Sequence, residues 1–162
     1  MKKLFLTAIL TCINIITMAQ NLRQTGNVLT DETCDLLCAA ALEKSREIGV
    51  DISFAITDAD GLPRLFRRFG DALVLSATLV PAKAYTSAIT RTPTGDLAPY
   101  IADGGDLMGI HTCDRRITLV PGGVPLFAKG AIVGAIGVGG GTKEQDLEIA
   151  GYVVARFNEL TR

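Results

Sequence analysis

The sequence predicts an α+β domain with a mostly antiparallel sheet, on three observations. Its segments read helix, hairpin, helices, hairpin, helix, whereas a doubly wound nucleotide fold alternates single strands with single helices. Two turn signatures, Asp58-Ala-Asp60-Gly61 and Lys129-Gly130, each separate two runs rich in β-formers. The run after the second turn, Ala131 to Val138, is apolar on both faces and belongs mid-sheet, covered on both sides. The 162 residues, 48% hydrophobic, suit one core, and a formal charge of −1 gives no electrostatic reason to bind nucleic acid.

The chain opens with two lysines, an apolar run from Leu4 to Met18 and a small residue at Ala19, which reads as a secretory signal peptide over 1–19 and a domain over 20–162. A membrane anchor fits less well, because the run is about 15 residues, contains Asn14, and falls short of the ~20 needed to span hydrocarbon. No membrane span is expected after cleavage, which would leave a periplasmic or extracellular protein. A start site further downstream would leave it in the cytoplasm. The cysteines beyond the leader, Cys34, Cys38 and Cys113, are odd in number and form no complete disulfide framework. Cys34 and Cys38 share a helix face, so a metal site with Cys113 or His111 is one reading; small buried hydrophobes is the commoner one.

Thr30 is an N-cap candidate ahead of Asp31 and Glu32, and Gly49 stops the run, which predicts a helix over 31–48 with Leu36, Leu37, Ala40, Ala41 and Ile48 as its apolar positions. A hairpin over 51–58 and 62–69 follows, with Arg64, Arg67 and Arg68 read as its wet face. In "SATLVPAKAYTSAIT" the positions Leu79, Ala82, Tyr85, Ala88 and Ile89 make a helical stripe, and Pro81 should delay or kink the helix. Thr92 and Pro93 suggest the cap and first residue of a short helix that Pro99 weakens. The second hairpin is "VPLFA", Lys129-Gly130, "AIVGAIGV". A capping box at Thr142 and Gln145 then opens a closing helix lined by Leu147, Ala150, Val153, Val154, Phe157 and Leu160.

The glycine-rich stretch Gly122 to Gly141 is not a phosphate loop, because Thr142 precedes Lys143 where a P-loop needs the reverse, and Thr142 stands where a dinucleotide fingerprint needs glycine. An anion at the closing helix would meet Glu144 and Asp146. Gly134 and Gly137 bare opposite faces of their strand and permit close approach of a helix, a subunit or a flat ligand. His111, the only histidine, could ligate iron beside Met108 and Cys113, although a surface imidazole is the plainer reading and the covalent haem signature is absent. No nucleophile elbow or acid/base pair supports catalysis by the chain unaided.

The stretches "LTDETCDLLCAAALEKSREIGVDISFAITDADG", "PAKAYTSAITRTPT" and "VPGGVPLFAKGAIVGAIGVGGGTKEQD" resemble, in order and spacing, the GlcG/HbpS-like family of haem-degrading or glycolate-utilization accessory proteins, related to the C-terminal domain of some corrinoid adenosyltransferases. The resemblance covers about residues 29 to 157. It implies a profilin-like single domain with a five-stranded antiparallel sheet, dimers or larger assemblies up to octamers, and haem as cofactor. The alternative it implies is a non-catalytic accessory protein that binds a small carboxylate or corrinoid in glycolate, glycerol or diol utilization. The residues it points to are Lys83, Thr86, Thr94, Gly122, Gly123 and Pro125. Thr94 matches a threonine implicated in haem binding in a secreted relative. Lys83 could meet a ligand carboxylate. Gly139 replaces the family's usual serine, and iron ligation by His111 is an inference from the residue alone.

Overall fold

The structure is a computed structural model that describes residues 28–161; the signal peptide expected over 1–19 lies outside the described residues. The element order is α1 (Asp31–Glu47), β1 (Ser53–Asp58), β2 (Pro63–Arg68), α2 (Ser76–Thr90), a 3-10 turn (Thr94–Leu97), α3 (Ala98–Ile101), α4 (Ile110–Cys113), β3 (Gly123–Ala128), β4 (Ala131–Gly139) and α5 (Lys143–Leu160). The sheet is antiparallel throughout with order β2-β1-β4-β3, so β4 is central as its two-sided apolarity requires. Among the described residues it has four strands, not the five that the resemblance implies. After α4, residues 114–122 run without regular structure.

The local chemistry explains the boundaries. The Thr30 hydroxyl accepts from the Thr33 amide at the head of α1, and Thr142 and Gln145 form the reciprocal capping box of α5. Lys129 and Gly130 both take positive φ, at 51° and 79°, which gives the β3–β4 turn the twist of a two-residue hairpin. β2 lies at a sheet edge. Its arginines do not share one face: Arg67 pairs opposite Phe54 and Arg68 opposite Ser53, while Arg64 bonds Asp31 and Arg68 the Ala72 carbonyl.

The two faces of the sheet carry different chemistry. Register puts Phe54 beside Val138, Ile56 beside Ile136 and Val124, and Leu126 beside Gly134, and this bulky face joins α1 and α5 in the main core. The other face lines up Ser53 with Gly139, Ala55 with Gly137 and Gly123, and Thr57 with Ala135 and Pro125. α2 lies directly on it. A Cβ at Gly137 would strike the Val80 carbonyl and the Ala84 amide, which is the close approach that the glycines permit.

Four expectations need correction. α2 runs from Ser76 through Pro81 without interruption, and its buried register is Ser76, Val80, Lys83, Ala84 and Ser87. The apolar stripe of Leu79, Ala82, Tyr85 and Ile89 turns away, because a bare sheet face accepts small and hydrogen-bonded side chains; only Ala88 of that stripe is buried. Thr92 caps no helix: its hydroxyl donates to the Thr90 carbonyl, and Pro93 precedes the 3-10 turn in an extended conformation. In α1 and α5, Leu36, Leu147 and Leu160 are exposed, while Ala150, Val153 and Phe157 are buried as the stripe requires.

A cleft over a buried ion pair

Lys83 and Asp146 meet where α2, the end of β4 and the start of α5 converge. Lys83 is 1% exposed; its ammonium donates to Asp146 Oδ2 at 2.9 Å and to the Val138 carbonyl at 2.7 Å. The second carboxylate oxygen of Asp146 accepts from the Gly141 amide at 3.1 Å. Burial pushes the Asp146 carboxyl up from its ordinary range, and the Lys83 ammonium opposes that shift. Glycines make room for the pair: a Cβ on Gly122, whose φ is 117°, would lie 2.9 Å from Lys83 Nζ, and one on Gly139 would lie 3.3 Å from it.

Above the pair opens a cleft of about 210 Å³ lined by apolar Leu73, Leu75, Leu79, Val120 and Pro121, with the 139–141 glycines and Lys143 beside them. Leu73, Val74 and Leu75 are 65%, 80% and 66% exposed, so the apolar lining continues onto the surface as a patch. Ligand cavities usually run about 300–1,000 Å³. The cleft therefore encloses a fragment, and a larger flat molecule must lie partly across the patch.

The expected site residues fall into three groups. Lys83 lies at the cleft floor and Gly122 and Gly123 pack against it, though neither glycine lines the cleft, with Pro125 buried next along β3. Thr86 and Thr94 are wholly buried beside it; the Thr94 hydroxyl bridges the Val120 carbonyl and the Gly123 amide, and the Thr86 hydroxyl bridges the Arg116 carbonyl and the Thr118 amide. His111 is exposed on α4 and does not line the cleft. Cys34 and Cys38 are core residues of α1, where burial raises both thiols, while Cys113 is exposed at the end of α4. Among the described residues no three His, Cys, Asp or Glu side chains are grouped to hold a metal.

Sequence reasoning missed Asp146 as the partner of Lys83, the Leu73–Leu75 wall and Lys143 at the mouth. A legible sign of the ion pair existed. Asp146 shares a helical register with Ile149, Ala150, Val153 and Phe157, and Lys83 shares one with Val80, Ala84 and Ser87. A charge on a buried register requires a partner.

The HbpS-like haem-degrading protein model matches residues 29–155. An uncharacterized 15.0 kDa protein of Citrobacter freundii is 37% identical over 75% of this chain and 87% of its own length. The corrinoid adenosyltransferase PduO of Salmonella typhimurium is 32% identical over 75% of this chain, which spans only 37% of that enzyme. Among solved structures, the PduOC:haem complex superposes with a TM-score of 0.75 at 31% identity, covering 78% of this chain and 93% of the other. HbpS superposes at 0.72 and 29% identity, over 79% and 89%. The α+β order, the antiparallel sheet and the continuous match over both hairpins and the glycine-rich strand agree, and the chain belongs to the HbpS-like family.

Proposed function

We propose that the chain binds haem as a homo-oligomer, exported to the periplasm or beyond, for sequestration or slow degradation. The observation that carries this is the open apolar cleft running onto the exposed Leu73–Leu75 patch, in a fold whose relative PduOC was solved with haem. The residues fit the group. Haem is a flat apolar ring with two carboxylates; Leu73, Leu75, Leu79 and Val120 supply apolar wall, and Lys143 supplies a cation at the mouth. Lys83, already neutralised by Asp146, stiffens the floor. Haem, when bound, would supply the iron chemistry; the cleft lining holds no His, Cys, Met or Tyr, so an iron ligand such as His111, which lies outside it, would have to come from a neighbouring copy. Dimers or larger assemblies would cover the part of the ring that a cleft of about 210 Å³ leaves exposed.

Hemin titration of the purified chain tests this. A saturable Soret shift at micromolar concentration is expected, weakened by Leu75→Asp; no saturable shift removes the proposal. A shift that survives His111→Ala removes only the axial assignment. A second reading, an accessory protein for a small carboxylate or corrinoid, has separate supports: the small cleft favours the carboxylate, and the adenosyltransferase relatives favour the corrinoid. Thermal shifts with glycolate, glycerol and cobalamins, set against hemin, separate the two.

A further inference from the structure

Residues 114–122 make no regular structure, yet α2 and the turn after it hold this strap along its length. At the outer end, Asp114 accepts from the Tyr85 hydroxyl at 2.7 Å, and the Arg116 guanidinium lies 3.9 Å over the Tyr85 ring. In the middle, the Thr86 hydroxyl donates to the Arg116 carbonyl at 3.3 Å and accepts from the Thr118 amide at 3.0 Å. At the inner end, the Thr94 hydroxyl donates to the Val120 carbonyl at 2.8 Å and accepts from the Gly123 amide at 3.0 Å. The Thr94 methyl occupies space vacated at Gly123, where a Cβ would lie 2.6 Å from it. Between these last two bonds lie Val120 and Pro121, which line the cleft.

A threonine hydroxyl has one proton to donate, and both hydroxyls give theirs to the strap backbone. Both residues are 0% exposed and neither lines the cleft. A ligand in the cleft therefore meets Val120 and Pro121, not the threonines. We propose that Thr86 and Thr94 are positioning residues: they hold the strap so that Val120 and Pro121 form one wall of the cleft, and they touch no ligand. The inference rests on the haem reading only for the identity of the ligand.

The test combines amide hydrogen exchange in the ligand-free chain with binding of hemin and of the apolar dye anilinonaphthalene sulfonate. Thr94→Val keeps the shape and loses the hydroxyl, so the Gly123 amide should exchange about tenfold faster and hemin affinity should fall about tenfold, the scale of one lost buried hydrogen bond. The Soret maximum at saturation should stay unchanged, because the iron environment is not touched. Thr94→Ser should restore both quantities, and Thr86→Val should speed exchange at Thr118. A shifted Soret maximum in Thr94→Val, or unchanged Gly123 exchange, overturns the proposal. If the parent chain binds no hemin, the haem reading fails alone; dye affinity then reports the wall, and an unchanged value in Thr94→Val overturns the inference. Should Thr94→Val not fold, Tyr85→Phe loosens the outer end without emptying a buried site. Faster exchange at Arg116 and Thr118 with weaker dye binding is the expected result, and no change in either sinks the idea.

Discussion

The two faces of the β-sheet are built from opposite materials. Phe54, Ile56, Leu126, Ile136 and Val138 fill the space under α1 and α5 with bulk. Behind them, on the same strands, Ser53, Ala55, Gly123, Ala135, Gly137 and Gly139 project almost nothing, and α2 lies on the backbone itself. The first face is held by apolar area removed from water, which tolerates exchange of one hydrocarbon for another of similar volume. The second buries little apolar side chain: its own small cluster is Ala55, Val80 and Ala84. It depends on close packing and on polar bonds, such as Ser53 to Ser76 at 2.7 Å and Lys83 to Val138 and Asp146. Directional contacts of this kind define a surface shape, which suits the face beside the cleft.

The strongest way to break that contrast is Lys83→Met. It removes the cation and leaves Asp146 buried without its partner, a loss expected at about 3–5 kcal/mol at neutral pH, read by urea unfolding. The sign of its pH dependence is fixed. Without Lys83 the Asp146 carboxyl keeps only the opposing Gly141 amide, so burial raises its folded pKa further above the unfolded value. A raised pKa contributes stability below the unfolded pKa and loses it as pH rises, so the Lys83→Met penalty should shrink as pH falls from neutral towards the carboxylate range. A penalty below about 1 kcal/mol, as for an exposed pair, would mean that the small face is not held by its polar bonds.

A pair of one-methyl changes on adjacent residues sharpens the contrast. Ile136→Val removes a methylene from the bulky face and should cost about 0.5–1.5 kcal/mol. Gly137→Ala adds a methyl to the small face, where it meets the Val80 carbonyl and Ala84 amide, so α2 must move; the expected cost is about 1–3 kcal/mol. Equal and small effects in thermal unfolding would show that α2 can be displaced freely.

Much of the bulky face was legible and much of the small face was not. Capped helices, turn glycines and a strand apolar on both sides announce α1, α5, both hairpins and the central place of β4, because each rests on local chemistry that tertiary packing does not reverse. The orientation of α2 does reverse the local rule. Hydrophobic periodicity assigns Leu79 and Ile89 to the core, yet a face of glycine, alanine and serine offers them no depth, and Val80, Lys83, Ala84 and Ser87 turn inward. The same inversion hid the site. Lys83 and Thr94 were marked by resemblance as ligand contacts, whereas their partners, Asp146 and the Val120 and Gly123 backbone, lie far away in sequence. The Leu73–Leu75 wall precedes α2 with no period to mark it, so only the folded chain shows that it meets Val120 and Pro121.

The outward stripe of α2 gives the smallest expected effect and the finest test. Ile89 is 39% exposed, so Ile89→Ser should change the stability of the isolated chain by about 0.5 kcal/mol or less, as for other surface substitutions. Chemical denaturation at two protein concentrations reads the outcome. A loss above about 2 kcal/mol that grows with protein concentration would put a second copy on this stripe, since an assembly lends stability by mass action. In that case the small sheet face is flanked by a helix that is itself an interface, and the contrast between faces extends to assembly. A loss of the same size at every concentration carries the opposite meaning: the stripe would belong to the chain's own core, as its periodicity suggests, and the inward register of Val80, Lys83, Ala84 and Ser87 would be wrong.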